Sequence, residues 1–449
     1  MSGVPLPQFK QFWLSMTSGL WFLPLAMVAL AIILAVTAPV VDDHLGHAWV
    51  KNQGVFFGVG ADGARGMLSA IAGSMMTVAS LTFSLTISTL AAASAQYTSR
   101  LVRNFMRDRV NQFVLGYFVS LFAYCLIVLR TIRGGDEGQF VPAIAVLLGL
   151  ALALVSIAVL IYFIHHIADS IQASTILHRV TAETAKSIDR LFPADIAEPV
   201  ATAAEIDVTT AVRMYHHRAK AEQYGYVQAV DTDILLKVAG EFDGVVKMVV
   251  DIGTFVTPGG VIVELDSDKP IKDDTIKRLR KAFSMGAART IEQDAAFGIR
   301  QLVDMALKAL SPGINDTTTA VMSVNHLGVL LESLARRPIP SHLRGEDGSL
   351  RIIATGRSFQ TLVGLSLDQI RQNAPGNPPV LTAMLLAIAA GGQVTRDRER
   401  HAHLKRHAEL LRDLCERSID VPADRDPVLA LADRTITALS QNHRSEGVG

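Results

Sequence analysis

The sequence predicts a membrane α-helical protein with four transmembrane helices, followed by a C-terminal cytoplasmic mixed α/β domain. Three observations carry this reading. Half of the 449 residues are hydrophobic, too many for an ordinary soluble enzyme, while 19 % charged is too many for a chain wholly inside a membrane. Four long apolar runs crowd the first 165 residues. Beyond them, short strand-like runs alternate with apolar residues at helical spacing.

A bilayer core takes about 20 apolar residues per helix. The qualifying runs are Leu20–Val41, Met67–Ala95, Phe113–Leu129 and Val141–Ile164, the third being the shortest and drawing on its flanks. Pro24 falls in the first turn of its span, where a missing N–H is harmless, and Pro39 falls at the expected end. The first run starts too late and runs too long for a cleavable signal peptide, so it reads as an anchor. No residue of Met67–Ala95 is charged.

Arginines set the orientation. The short connection after span two carries Arg100, Arg103, Arg107 and Arg109, whereas the longer first loop has only Lys51 and Arg65. The positive-inside rule places the arginine-rich loop, and with it both termini, in the cytoplasm. Arg130 and Arg133 oppose this and are partly offset by Asp136 and Glu137.

The expected organisation is a four-span domain over 1–165, a helical stalk over 166–192, a cytoplasmic α/β domain over 193–440 and a disordered tail over 441–449. The stalk follows from Ile167, Ile171, Leu177, Val180, Ile188 and Leu191, which continue the helical period of span four until Pro193. Its apolar stripe must bury against the soluble domain or a second copy. YGYVQAVD, GVVKMVVD, VIVELD and SLRIIAT read as strands, with a short helix, DTDILLKVAGEF, after the first. GTFVTPGG, 253–260, has the spacing of a barrel-sandwich turn, without a lysine at its tip for lipoyl or biotin attachment. Helices are expected at 273–284, 290–310, 316–336, 358–373, 378–391 and 398–418.

Several chemistries lack their residues. Zero net charge gives no support to nucleic-acid binding, which wants a basic patch. Two cysteines, Cys125 and Cys415, make neither a disulfide framework nor a thiolate metal site. GxxxxGK[ST], GxGxxG after a strand, GxSxG, CxxC and HExxH are all absent. No cofactor and no enzymatic activity are expected. Glu399, His403 and His407 share a helix face at zinc-ligand spacing, but RDRERHAHLKRH reads as a solvated face and no metal is expected. His165–His166 leave the membrane at headgroup level.

Two constellations remain. Eight of the seventeen residues of SMMTVASLTFSLTISTL, 74–90, carry a hydroxyl. Ser69, Gly73, Thr77, Ser80, Ser84 and Ser88 recur every three or four residues and form one small hydroxylated stripe, with Thr82, Thr86 and Thr89 on a second flank. Such a stripe lines a wet path or packs closely on another helix, each hydroxyl bonding back one turn. Arg100, Arg103 and Arg107 then stand at the cytoplasmic mouth. The second constellation lies at 289–316, where Thr290 and Gln293 have capping-box spacing and Arg289, Gln293, Arg300 and Asp304 fall near one face. The helix stops at Ser311–Pro312–Gly313, and Asn315 or Asp316 caps the next. This polar corner is either a ligand site or an ion-paired structural junction.

RTIEQDAAFGIRQLVDMALKALSPGINDTTTA, 289–320, and SLTFSLTISTLAAASAQYTSRLVRNFMRD resemble domain of unknown function 2254, a family of predicted bacterial membrane proteins. The resemblance covers most of the chain. That family commonly has Pro where Thr317 stands here, so this helix start is built differently. The resemblance implies a bacterial cytoplasmic-membrane location and no biochemical activity. From the residues, the expectation is a homo-oligomer in the lipid bilayer that conducts inorganic anions or small solutes along span two. The competing class is a non-conducting sensor or scaffold whose soluble domain binds a ligand or partner.

Overall fold

The computed structural model describes residues 21–45, 60–96, 108–133, 140–191, 214–291, 293–337, 343–346 and 349–441. They form two compact units that divide between Gln172 and Ala173.

The first unit has four helices long and apolar enough to cross a membrane: α1 (Phe22–Leu45), α2 (Ala61–Gln96), α3 (Arg109–Thr131) and α4 (Ala143–Ser170). Each runs past the C-terminal end of the run expected from sequence, while α1 and α4 begin two residues later than expected. Pro39 does not end α1, which continues to Leu45 with the proline inside it. Helix α3 is the central element and packs against α1, α2 and α4. Tyr117 and Tyr124 donate their phenol hydroxyls to the Leu152 and Ala145 carbonyls of α4, at 2.7 and 2.8 Å. Such bonds satisfy polar groups that would be costly to leave unpaired in hydrocarbon.

Side chains close the helix ends. Asp42 Oδ2 accepts the Ile144 N–H at the start of α4 (3.2 Å), and Arg65 Nη2 donates to the Ile132 carbonyl just past α3 (3.0 Å). Asp108 caps α3, accepting the Val110 N–H with one oxygen and meeting His166 Nε2 of α4 at 2.8 Å with the other. Here His166 has a fixed protein partner beyond the expected headgroup contact.

The expected stalk is not a continuation of α4. The chain turns at Ile171–Gln172 and restarts as α5 (Ala173–Leu191). Its stripe, Ile176, Leu177, Val180 and Ile188, is buried within the second unit. A β module follows: β1 (Tyr215–Lys220), β2 (Gly225–Val230), α6 (Thr232–Glu241), β3 (Val245–Met248), β4 (Phe255–Val256), β5 (Val261–Ser267), α7 (Asp273–Lys281) and β6 (Phe283–Gly286). Then come α8 (Ala295–Leu310), α9 (Thr317–Arg336), β7 (Leu343–Glu346), β8 (Ser349–Ile353), α10 (Phe359–Gln372), α11 (Pro378–Val394), α12 (Arg398–Ser418) and α13 (Pro422–Gln441).

Among the described residues the strands make a five-stranded sheet, β1-β5-β3-β8-β7, and a three-stranded one, β4-β2-β6. All pairs are antiparallel except β3 with β8. Val227, Leu235, Val246, Ile262, Leu265 and Ile352 form the centre of their core. The helical layer is built on α9 and α11, with α5 and α8 against α9 and with α12 and α13 against α11.

Strand β1 is not among the strands expected from sequence. It pairs with β5, and His216 Nδ1 meets Asp266 Oδ1 at 2.5 Å. Helix α13 was not expected. Its interior Pro427 and weak apolar stripe hid it. Helix α8 begins at Ala295 instead of Thr290, because Asp294 is the N-cap and accepts the Phe297 N–H at 3.0 Å. The Pro193 break, nearly all of the expected tail and the arginine-rich loop residues Arg100, Arg103 and Arg107 lie outside the described residues.

Candidate functional site

The hydroxyl stripe lies on the outer face of α2. Ala64, Leu68, Ala72, Met75, Ala79 and Thr82 are buried, stepping by three and four along the side that meets the bundle. Ser69, Gly73, Thr77, Ser80, Ser84 and Ser88 are all exposed, on roughly the opposite side. Gly66, Ala70 and Ala91 are exposed too and extend the small face at the same period. A repeat of seven made of small residues suits close left-handed packing of parallel helices. Among the described residues, the chain's own bundle therefore encloses no path along this stripe.

Thr77 donates its hydroxyl to the Gly73 carbonyl (3.1 Å), and Ser74 to Ala70 (2.8 Å). The second flank is not a flank of that face. Thr82 and Thr89 are buried toward the bundle, and Thr82 bonds back to Ala79 at 2.9 Å. Big apolar neighbours, Met76, Phe83, Leu81 and Leu85, border the stripe and are exposed.

The polar corner at 289–316 is divided by the structure. Sixteen helical residues of α8 separate its two ends, a distance of about 24 Å at the usual rise per residue. At the far end Ser311 Oγ donates to the Lys308 carbonyl, and Asp316 caps α9 by accepting the Thr319 N–H (3.0 Å) and hydroxyl (2.5 Å). Those bonds hold the Asp316 carboxyl below the usual range. The left-handed residue of this turn is Asn315, at φ 50°, and not Gly313, whose Cβ position is open space. In mid-helix, Arg300 reaches Gln369 of α10, Nη1 to Oε1, at 2.5 Å. Asp304, one turn on, is half-buried.

The near end is the denser cluster. Arg289 Nε donates to Asp294 Oδ2 at 2.8 Å, its Nη2 lies 2.6 Å from the same oxygen, and its guanidinium stands 5.0 Å over the Phe297 ring. Gln293 Oε1 accepts the Val230 N–H of β2 at 3.1 Å, which explains why it does not cap α8. Sequence reasoning missed three members: Asp294, Asp251 and Arg357, the last two 3.6 Å apart. Burial pushes the carboxyls of Asp294 and Asp251 upward, opposed by Arg289 and Arg357. Gly253 admits the cluster because it holds φ +84° and its missing Cβ would collide with Asp294 Oδ2.

Three connections meet here: the β3–β4 turn, the β6–α8 segment and the β8–α10 segment. Here two carboxylates face two guanidiniums, a formally balanced set of charges. Among the described residues no group of three His, Cys, Asp or Glu is placed to hold a metal. His401 bonds the Asp397 and Gly392 carbonyls at 3.0 Å each, while His403 faces Glu399 at 3.5 Å.

Four apolar helices followed by a mixed α/β region define a membrane protein. The chain belongs to the family described as predicted membrane protein DUF2254, whose profile matches residues 17–390. It is 36 % identical over 378 residues to uncharacterised proteins of Mycobacterium bovis and Mycobacterium tuberculosis, covering 83 % of this chain and 72 % of each relative. No solved structure matches.

Proposed function

We propose that the protein is a homo-oligomeric ion or small-solute channel, and not an enzyme, with α2 lining the path. The observation that carries this reading is the outward direction of the hydroxyl stripe. A face so poor in large apolar groups gains little from lipid, whereas several copies around an axis would bring the hydroxyls of Thr77, Ser80, Ser84 and Ser88 to a shared aqueous path. In this reading the membrane is the bacterial inner membrane, both termini are cytoplasmic, and the second unit forms a vestibule or gate. Arg100, Arg103 and Arg107 follow α2 in the sequence, and positive charge at that end of the path would favour anions.

The competing reading is a non-conducting sensor or scaffold. Its support is the back-bonding of Thr77 to Gly73, as expected of a dry small-residue contact. Single cysteines separate the two, placed in a Cys125→Ser, Cys415→Ser background. At Thr77, Ser80, Ser84 and Ser88 they should react with small water-soluble thiol reagents, and at Ala72, Met75 and Ala79 they should not. Planar-bilayer recordings of purified protein should show anion-selective current that charge reversal at Arg100 and Arg103 alters. Inert cysteines and silent bilayers would leave the scaffold.

A further inference from the structure

We propose that the histidine pair His178–His326, set between α5 and α9, is an acid-sensitive clasp that releases α5 from the helical layer when the pair becomes charged. The two rings meet edge to face, with centroids 6.5 Å apart and planes at 71°. His178 is exposed on α5, and His326 is half-buried on α9. Among the described residues no third His, Cys, Asp or Glu joins them to hold a metal.

Thr181 fixes the state of the half-buried ring. Its Oγ1 donates to the Leu177 carbonyl at 2.8 Å and lies 2.9 Å from His326 Nδ1. A hydroxyl has a single hydrogen, so Nδ1 donates the second bond and Nε2 keeps the lone pair. Neutral His326 is thus satisfied by Thr181. A further proton is taken at Nε2 and brings a charge to a place where burial penalises it. Burial first, and then the neighbouring His178, hold the His326 imidazole below its ordinary value.

No carboxylate steadies that charge. Helix α9 has no other charged residue between Asp316 and Glu332, and α11 has none at all. Near this level α5 contributes Arg179 and Glu183 besides His178, α8 contributes Arg300 and Asp304, and α10 has the paired Asp368 and Arg371. Of these, His178 alone acts on His326, and its charge repels a second one.

Because the folded value lies below the ordinary 6.5, neutral His326 supports the contact fully above that pH. Its contribution is lost as pH falls through the folded value. The element set loose is α5, whose Ile176, Leu177, Val180 and Ile188 are buried in this layer. It follows α4 after a two-residue turn, so acid acts on the helix next in the chain after the last span.

The test follows amide hydrogen exchange by mass spectrometry in purified full-length protein at about pH 7.5 and about pH 5, on either side of the ordinary histidine value. Protection of α5 is divided by that of α6, a helix of the β core without histidine, so the intrinsic pH dependence of exchange cancels. The ratio should fall severalfold at the lower pH. His326→Gln keeps an amide for Thr181 and cannot titrate, so its ratio should stay level. His178→Gln, at an exposed position, removes the repulsion and leaves the burial, so its fall should be smaller. If His326→Gln has lost protection already at the higher pH, His178→Gln decides alone. A wild-type ratio equal at the two pH values would overturn the proposal. So would a fall that His326→Gln retains, or one that His178→Gln leaves undiminished. None of these outcomes depends on whether α2 lines a path.

Discussion

A single methyl group measures how closely α5 lies on α8. A Cβ at Gly298 would collide with Thr184 Oγ1, whose hydroxyl is fixed on the Val180 carbonyl at 2.6 Å. Gly298→Ala should therefore cost about 1–3 kcal/mol by overpacking, read as a lower thermal midpoint. Thr184→Ala in the same protein should restore part of it. An unchanged midpoint in the single variant would remove the contact. Charge supplies a second residue-scale prediction. Burial raises the Asp251 carboxyl above its ordinary value, so its contribution to stability is present below the unfolded pKa and is lost as pH rises through the folded one. Asp251→Asn should thus gain on the wild type in urea denaturation from about pH 4 toward pH 7. A margin that shrinks with pH would contradict the sign. The residues of the stripe were legible because period alone places them. Asp251 and Arg357 were not, since more than a hundred residues of chain separate them and only the finished fold joins their turns.

At the scale of elements, the ends of helices were harder to read than the helices. Periodicity located α9 and α12 nearly to the residue, while α8 was started at Thr290, because Gln293 has capping-box spacing but is drawn to Val230 instead. Likewise the period of α4 runs on past Ile171 although the backbone turns there, so sequence could not distinguish one long helix from two. Arg400 shows a tertiary cap with no local signature. Its Nη1 donates to the Leu334, Ala335 and Arg337 carbonyls at 3.3, 3.1 and 2.8 Å, closing the C-terminus of α9 from α12. The guanidinium also stands 5.1 Å over the Phe359 ring. Arg400→Met should leave those carbonyls unpaired and cost about 2–3 kcal/mol. Arg400→Lys should recover only part, because an ammonium lacks the planar fork. If methionine and arginine give equal chemical-denaturation midpoints, the cap contributes nothing to α9.

The orientation we expect of the whole molecule rests on how its Lys and Arg are distributed along the sequence. Four spans place both ends of the membrane unit on one side, and the alternatives differ only in which loops face the cytoplasm. Between α2 and α3 the chain has Arg100, Arg103, Arg107 and Arg109, against Lys51 and Arg65 in the loop before α2. Arg65 is further engaged at the end of α3, donating to the Ile132 carbonyl and standing 3.8 Å from Asp62. Arg130 and Arg133 follow on that same side, so the bias is reduced but not reversed. We expect the arginine-rich loop inside. Alkaline phosphatase fused at Gly138 should then be active, and fusions after residue 213 inactive, with a cytoplasmic fluorescent reporter giving the inverse pattern. Glutamates at Arg100 and Arg103 should weaken the contrast, since short-loop cations set the orientation. Active phosphatase in the C-terminal half would place the second unit outside. The proposed cytoplasmic vestibule would fall with it, while the outward face of α2 would stand unchanged.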